Sequence, residues 1–262
     1  MFRVFVLCVL GAAIAAAADA AVVHFKGYDF ESCVIADHWR SFPEARKHGR
    51  PYLQVQEGTE YSIVIKNPLP VRVAVAVAID GLNTIDGRRT TPDKAEKWII
   101  EANSSLTLRG WQTGRTALRR FVFTGQNESY ADWKERRDGK AYTANLGVIG
   151  VAYFWNRREL ALALNPPRPF AFRSEEKQSM QDEAGAASSA PSPAAEPKPR
   201  AGTGMGGHED NYVVDVEFNY DTGMYHNRQV LAIYYEFASN PPLQRPFLGD
   251  DDGQEFTPEM PD

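Results

Sequence analysis

The stretch VAVAIDGLNTIDG, Val75 to Gly87, carries Ile-Asp-Gly twice and sets oxygen-bearing side chains three residues apart at Asp80, Asn83 and Asp86. Such spacing suits a divalent-cation loop or a polar binding loop, with Arg88 just beyond it. A calcium loop wants more carboxylates, or an Asp-x-Asp-x-Asp-Gly run with a distal Glu, and neither is present. Asp-Gly is instead a strong hairpin signal, because a type I′ turn needs positive φ at both central residues. The spacing predicts two successive turns after a strand, with Leu82-Asn83-Thr84 at one end of the fold. Asp80, Asn83, Asp86 and Arg88 are the candidate binding residues there, and a weak cation site is the alternative.

Other reactive side chains are sparse. Met205 with His208, and Met224 with His226, pair soft thioethers with imidazoles, a set that suits copper. A strand between the two pairs would hold them roughly 25 Å apart at ~3.3 Å per residue, unless the glycines fold back or two copies meet. Asp37-His38 beside Trp39 could sit in a pocket, but neither it nor His24 or His48 belongs to a hydrolase elbow or a zinc-protease helix motif. The glycine-rich Gly202–His208 lacks the Lys-Ser/Thr of a phosphate loop and reads as a flexible lead into a strand. Of the five tryptophans, Trp111 alternates away from Leu106 and Leu108, so it is expected to face outward and to stack on a ligand, sugars included. No cofactor and no catalytic residue is implied, and the chain reads as a non-enzyme.

The elements that must position these residues have period two. EYSIVIKN, SLTLRGW, RFVFTG, YVVDVEFNY and VLAIYYEF alternate apolar with polar, as half-buried strands do. VRVAVAVAI and NLGVIGVAYFW are apolar on both faces and read as central strands covered on each side. Two short helical patterns stand out. Asp37–Gly49 holds a turn or two, and Glu128–Lys140 has Ser129 to cap it and Gly139 to end it. From 173 to 207 the composition turns to Ala, Ser, Pro and Glu with no aromatic, and such a segment cannot offset its ordering entropy. The two strands after it cannot stand alone, since a lone hairpin is marginal. The reading is one antiparallel β-sandwich, jelly-roll-like, with a closed barrel as the alternative. Residues 21–172 form its first part, 173–207 a disordered insertion, 208–240 its final strands and 241–262 a loose acidic tail.

Residues 1–20 read as an export signal: Arg3, the apolar run VFVLCVLGAAIAAAA, then Ala18-Asp19-Ala20 as a cleavage site. An uncleaved anchor is the alternative. Cleavage leaves Cys33 as the single cysteine, a free thiol expected to be buried, or else a link to a second copy. The net charge of −5 argues against nucleic acid as a partner. The charge is uneven: Arg109–Arg158 balances at +6 and Gly207–Asp262 at −10. The two segments could attract each other within the fold or between copies, but two solvated faces are the preferred reading.

The series IDGLNTIDG, LRGW, NLGVIGVAYF and Gly202-Thr203-Gly204 before VVDVEF resembles a set of uncharacterised exported bacterial proteins, over roughly Tyr52 to Phe237. The resemblance implies a single exported β domain and carries no activity with it. The functional expectation is a secreted or periplasmic module that binds a protein partner or itself, or builds structure at the cell envelope. Glycan binding or glycan chemistry through tryptophans is the second reading, and a copper or calcium protein the third.

Overall fold

Alternation of apolar and polar residues becomes strand after strand in the computed structural model, which describes residues 4–7, 21–25, 27–36, 42–47, 50–166, 200–221 and 228–238. In chain order the strands are β1 (Val4–Leu7), β2 (Ala21–Phe25), β3 (Tyr28–Ala36), β4 (Glu44–Lys47), β5 (Arg50–Val55), β6 (Glu60–Asn67), β7 (Val73–Ile79), β8 (Leu82–Asn83), β9 (Lys97–Ile100), β10 (Ser104–Leu108), β11 (Gly110–Gln112), β12 (Ala117–Gly125), β13 (Val148–Phe154), β14 (Ala201–Asp210), β15 (Val213–Val216) and β16 (Arg228–Phe237). Helix α1 (Tyr130–Asp138) follows β12, and α2 (Arg157–Leu164) follows β13.

One sheet runs β15-β1-β9-β7-β13-β16-β5-β4, with β8 folded back on β7. The other runs β11-β12-β6-β3-β2, with β10 beside β6 and β14 beside β12. Neither closes on itself, so the architecture is an all-β sandwich and the closed-barrel alternative falls. Most neighbours are antiparallel; β1–β9 and β5–β16 are parallel.

The core lies between the sheets. Val73, Val75, Val77 and Ile79 of β7 face Tyr61, Ile63 and Ile65 of β6, and all are buried. Burying one such aliphatic side chain contributes ~1.5–3 kcal/mol, so this layer dominates the stability. The alternate residues of β7, Ala74 and Ala76, join Ile99, Ala152 and Phe154 in a second cluster, covered by Val216, Phe218 and Tyr220. The row of alanines therefore admits a chain segment close to the sheet, as its small side chains suggest.

Helix α1 has the ends its sequence encodes. The Ser129 hydroxyl accepts from Asp132 N at 3.2 Å, and Gly139 closes the helix in the left-handed region at φ 66°. Three segments differ from expectation. Glu44–Lys47, read as part of a helical turn, is strand β4. Gly202–His208, read as a flexible lead, lies within strand β14, where added Cβ atoms at 202 and 204 would press on Ser129 and Thr124 at 2.7 and 2.8 Å. The glycines serve close packing there. Tyr212–Tyr220, read as one long strand, is extended only over Val213–Val216, with Val213 buried and Tyr212 and Val214 exposed. The chain then leaves the ladder, and Phe218 and Tyr220 lie over the alanine row.

Some of the uneven charge is paired between the two segments at partly exposed positions, while residues 239–262 of the acidic segment lie outside the described residues. Glu209 takes both Arg109 (2.6 Å) and Arg120 (3.3 Å), and Arg115 pairs with Asp215 at 3.0 Å.

Candidate functional site

The twin Ile-Asp-Gly copies fold as two turns of different kinds. Asp80 and Gly81 both have positive φ, 54° and 80°, as a type I′ turn requires, and they join β7 to β8. In the second, Gly87 alone is left-handed, at φ 64°. Its N–H donates to the Asn83 carbonyl at 2.9 Å, and Asp86 Oδ1 accepts from Arg88 N at 2.9 Å.

Asp80 and Asn83 are interior residues, contrary to the expectation of a surface loop. The Asn83 amide donates to the Glu96 carbonyl (2.8 Å) and accepts from Ile85 N (2.8 Å), so it holds the loop together. Leu82 and Thr84 are buried with it, and of Leu82-Asn83-Thr84 only Thr84 borders an open cleft beside the second turn. Asp80 is 1 % exposed. Its Oδ1 accepts from Tyr235 OH (2.7 Å) and Gly147 N (2.9 Å), and its Oδ2 from Thr203 N (2.7 Å). Thr203 Oγ1 lies 2.8 Å from both Tyr235 OH and Tyr61 OH. With the carboxylate ionised, one proton order satisfies every member: Tyr61 donates to Thr203, Thr203 to Tyr235, and Tyr235 to Asp80. This chain ties β6 and β14 of one sheet to β16 and the β7 turn of the other. Burial works against the charge and outweighs the hydrogen bonds, so the Asp80 carboxyl is pushed up to about 6.

The second turn borders an open cleft of about 490 Å³. Asp86 and Gly87 line it together with Trp111, Arg115, Tyr130 and Met205. Asp86 and Arg88 are exposed, with their charges 3.7 Å apart. Trp111, expected to face outward, is 2 % exposed and donates its indole N–H to the Gly204 carbonyl at 3.1 Å. The alternation slips because the chain changes partners at Arg109: β10 pairs with β6, whereas β11 pairs with β12. Gly110 permits the switch, since a Cβ there would collide with the Arg119 carbonyl. The exposed tryptophan among the described residues is Trp133, 47 % accessible, on α1. A ladder runs from Trp111 to Tyr130 (4.9 Å between centroids) to Trp133 (5.7 Å), with the Arg137 guanidinium 4.6 Å from the Trp133 ring.

Met205 is exposed at the cleft, and His208 is exposed further along β14, opposite Arg119. Met224 and His226 lie outside the described residues, as do Trp39, His38 and His48. Among the described residues no group of three or more His, Cys, Asp or Glu could hold a metal ion. Cys33 is 8 % exposed and packs with Ile35 and Val64, an environment that shields its thiol from a second copy. Sequence reasoning passed over Tyr130 and Trp133 as binding residues. Their spacing on a well-capped helix was the signal, because residues three apart share a helix face. Comparison with protein-family models, with curated proteins and with solved structures finds no match to this chain.

Proposed function

We propose that the chain is an exported, non-enzymatic binding module that holds a protein partner at the cleft beside the second Ile-Asp-Gly turn. The observation that carries this reading is the cleft itself: about 490 Å³, bordered by rigid turns, and open beside an aromatic ladder. Aromatic and methionine surface next to charges of both signs suits a polypeptide segment. Among the described residues the lining carries no Ser, Cys, His or Lys, and its two carboxylates, Asp86 and Asp215, are each engaged by an arginine. That composition favours recognition over group transfer. Glycan stacking has less support, because Trp98, Trp111 and Trp155 are each no more than 2 % exposed and Trp133 already packs with Tyr130 and Arg137. Export rests on the composition of residues 1–20.

A photo-crosslinking amino acid placed at Met205 tests the cleft, with Leu162, exposed on α2, as the control position. In cells, position 205 should yield one dominant light-dependent adduct that position 162 does not. Equal patterns at both positions would remove the cleft as the binding site. Fractionation with intact-mass measurement tests export: the protein should be recovered outside the cytoplasm without residues 1–20.

A further inference from the structure

The last residues of the chain hold its charge. Residues 239–262 carry six Asp/Glu and one Arg, a balance of −5 that equals the net charge of the whole protein. The rest of the chain is therefore neutral. Three of the six acids stand together, at Asp250, Asp251 and Asp252. Such a run is drawn to any cationic surface within its reach, and one end of the sandwich has such a surface.

Arg89, Lys140 and Arg200 are exposed, and among the described residues none of them meets a carboxylate. The Arg89 guanidinium donates to the Ala141 carbonyl at 2.7 Å, and the Arg200 guanidinium to the Ala144 carbonyl at 3.1 Å. Those two residues are three apart, so their carbonyls lie no more than ~11 Å from each other at ~3.6 Å per residue. Lys140 directly precedes Ala141. The nearby acids are committed elsewhere. Glu135 accepts from Tyr142 N, Thr143 N and Thr143 Oγ1, and Asp138 pairs with Lys134 and Arg137. With one N–H anchored on a carbonyl, each guanidinium has further donors to offer an anion.

The acidic segment departs from the fold at this same end. Tyr235 N donates to the Gly147 carbonyl at 2.9 Å, and a Cβ at Gly147 would lie 2.8 Å from the Tyr235 carbonyl and 3.8 Å from that of Ala201. Arg200, the residue before Ala201, therefore sits beside the end of β16. That strand stops at Phe237, and Ala238 N still donates to the Val55 carbonyl at 3.1 Å. We propose that Asp250, Asp251 and Asp252 dock on Arg89, Lys140 and Arg200 of the same molecule. Twelve residues take the chain from Ala238 to Asp250. A coil of that length has a root-mean-square span of ~20 Å, so the tether holds the acids at roughly millimolar effective concentration. A second copy at micromolar concentration offers about a thousandfold less. Residues 167–199 also adjoin Arg200, but four Lys/Arg offset five Asp/Glu there, so they compete weakly. The docking needs neither the cleft nor export.

A carbodiimide, which joins an amine to a carboxylate only where the two touch, tests this on the full chain at low salt, with the links read by mass spectrometry of a digest. Lys140 should link to Asp250, Asp251 or Asp252. Lys66 should link to Glu31, 3.1 Å away, in every sample, as the sign that the reagent acts and the fold is intact. The double variant Arg89→Gln, Arg200→Gln should lower the Lys140 link about fivefold and leave the Lys66 link unchanged. Lys94→Gln, at an exposed position elsewhere, should change neither. In an equal mixture of unlabelled and heavy-nitrogen chains, the Lys140 link should join peptides of one label only. No Lys140 link beside an intact Lys66 link would overturn the docking, as would a Lys140 link that survives the loss of both arginines. Links of mixed label would overturn the tethered segment in favour of a second copy. Links from Lys140 to Glu175, Glu176, Asp182 or Glu183 instead would overturn it in favour of residues 167–199.

Discussion

Asp80→Asn should remove a pH dependence of stability that the fold builds into its centre. The Asp80 carboxyl moves from an ordinary 3.8 to about 6 because burial penalises its charge more than its hydrogen bonds favour it. Between those values the folded chain holds a proton that the unfolded chain has released. The extra stability is therefore present below pH 3.8 and lost as pH rises through about 6. A shift of that size corresponds to about 3 kcal/mol at ~1.4 kcal/mol per unit. Asparagine keeps one carbonyl oxygen for Tyr235 and Gly147, but sets an NH₂ against the Thr203 N–H, at a cost of ~1–3 kcal/mol for the unmade bond. Urea unfolding of both proteins at pH 4 to 7, followed through the buried tryptophans, gives the test. Other titrating groups are common to both chains, so the difference between the two curves isolates Asp80. Wild type should be clearly the more stable at pH 4, and its advantage should shrink by about 2.4 kcal/mol by pH 7, since part of the ~3 kcal/mol is already lost at pH 4. A difference that stays constant across that range would refute the assignment of the buried proton to Asp80.

Gly110→Ala should cost more than ~3 kcal/mol or prevent folding, because the methyl group meets the Arg119 carbonyl where β11 joins β12; thermal unfolding reads this. Glu209→Gln should destabilise by ~1 kcal/mol at low salt through two weakened arginine contacts, and by less in 1 M salt, as chemical denaturation at both strengths would show. Ser129→Ala should cost about 1 kcal/mol by leaving Asp132 N without its cap, again measured in urea. Cys33, 8 % exposed, should react with a thiol reagent only as fast as the chain unfolds, so its labelling rate should track the unfolding rate across denaturant.

What the sequence made legible was local. The alternation of β6 and β7, the caps of α1 and the left-handed pair Asp80-Gly81 all depend on neighbours a few residues away. What it hid was settled by partners far along the chain. Asp80 is buried because Thr203 and Tyr235 arrive 123 and 155 residues later to meet its carboxylate. Trp111 turns inward because β10 and β11, nearly continuous in sequence, pair with different strands. The cleft exists only where the second turn, β11, α1 and β14 converge, so its aromatic lining could be guessed at Tyr130 but not placed. The glycine run of β14 looked like slack because its packing partners, Ser129 and Thr124, are remote in sequence.

The hydrogen-bonded chain from Tyr61 to Asp80 also sets the order in which the molecule can be completed. The hairpin at Asp80 forms from residues made early, but its carboxylate has no donors at Thr203 and Tyr235 until the last strands have been synthesised. Contacts across such separations make folding slow. A ribosome that stops before residue 200 releases a chain whose central acid must stay in water, so the two sheets cannot close over it. The chain therefore stays open until its final strand is made, and then locks at its centre.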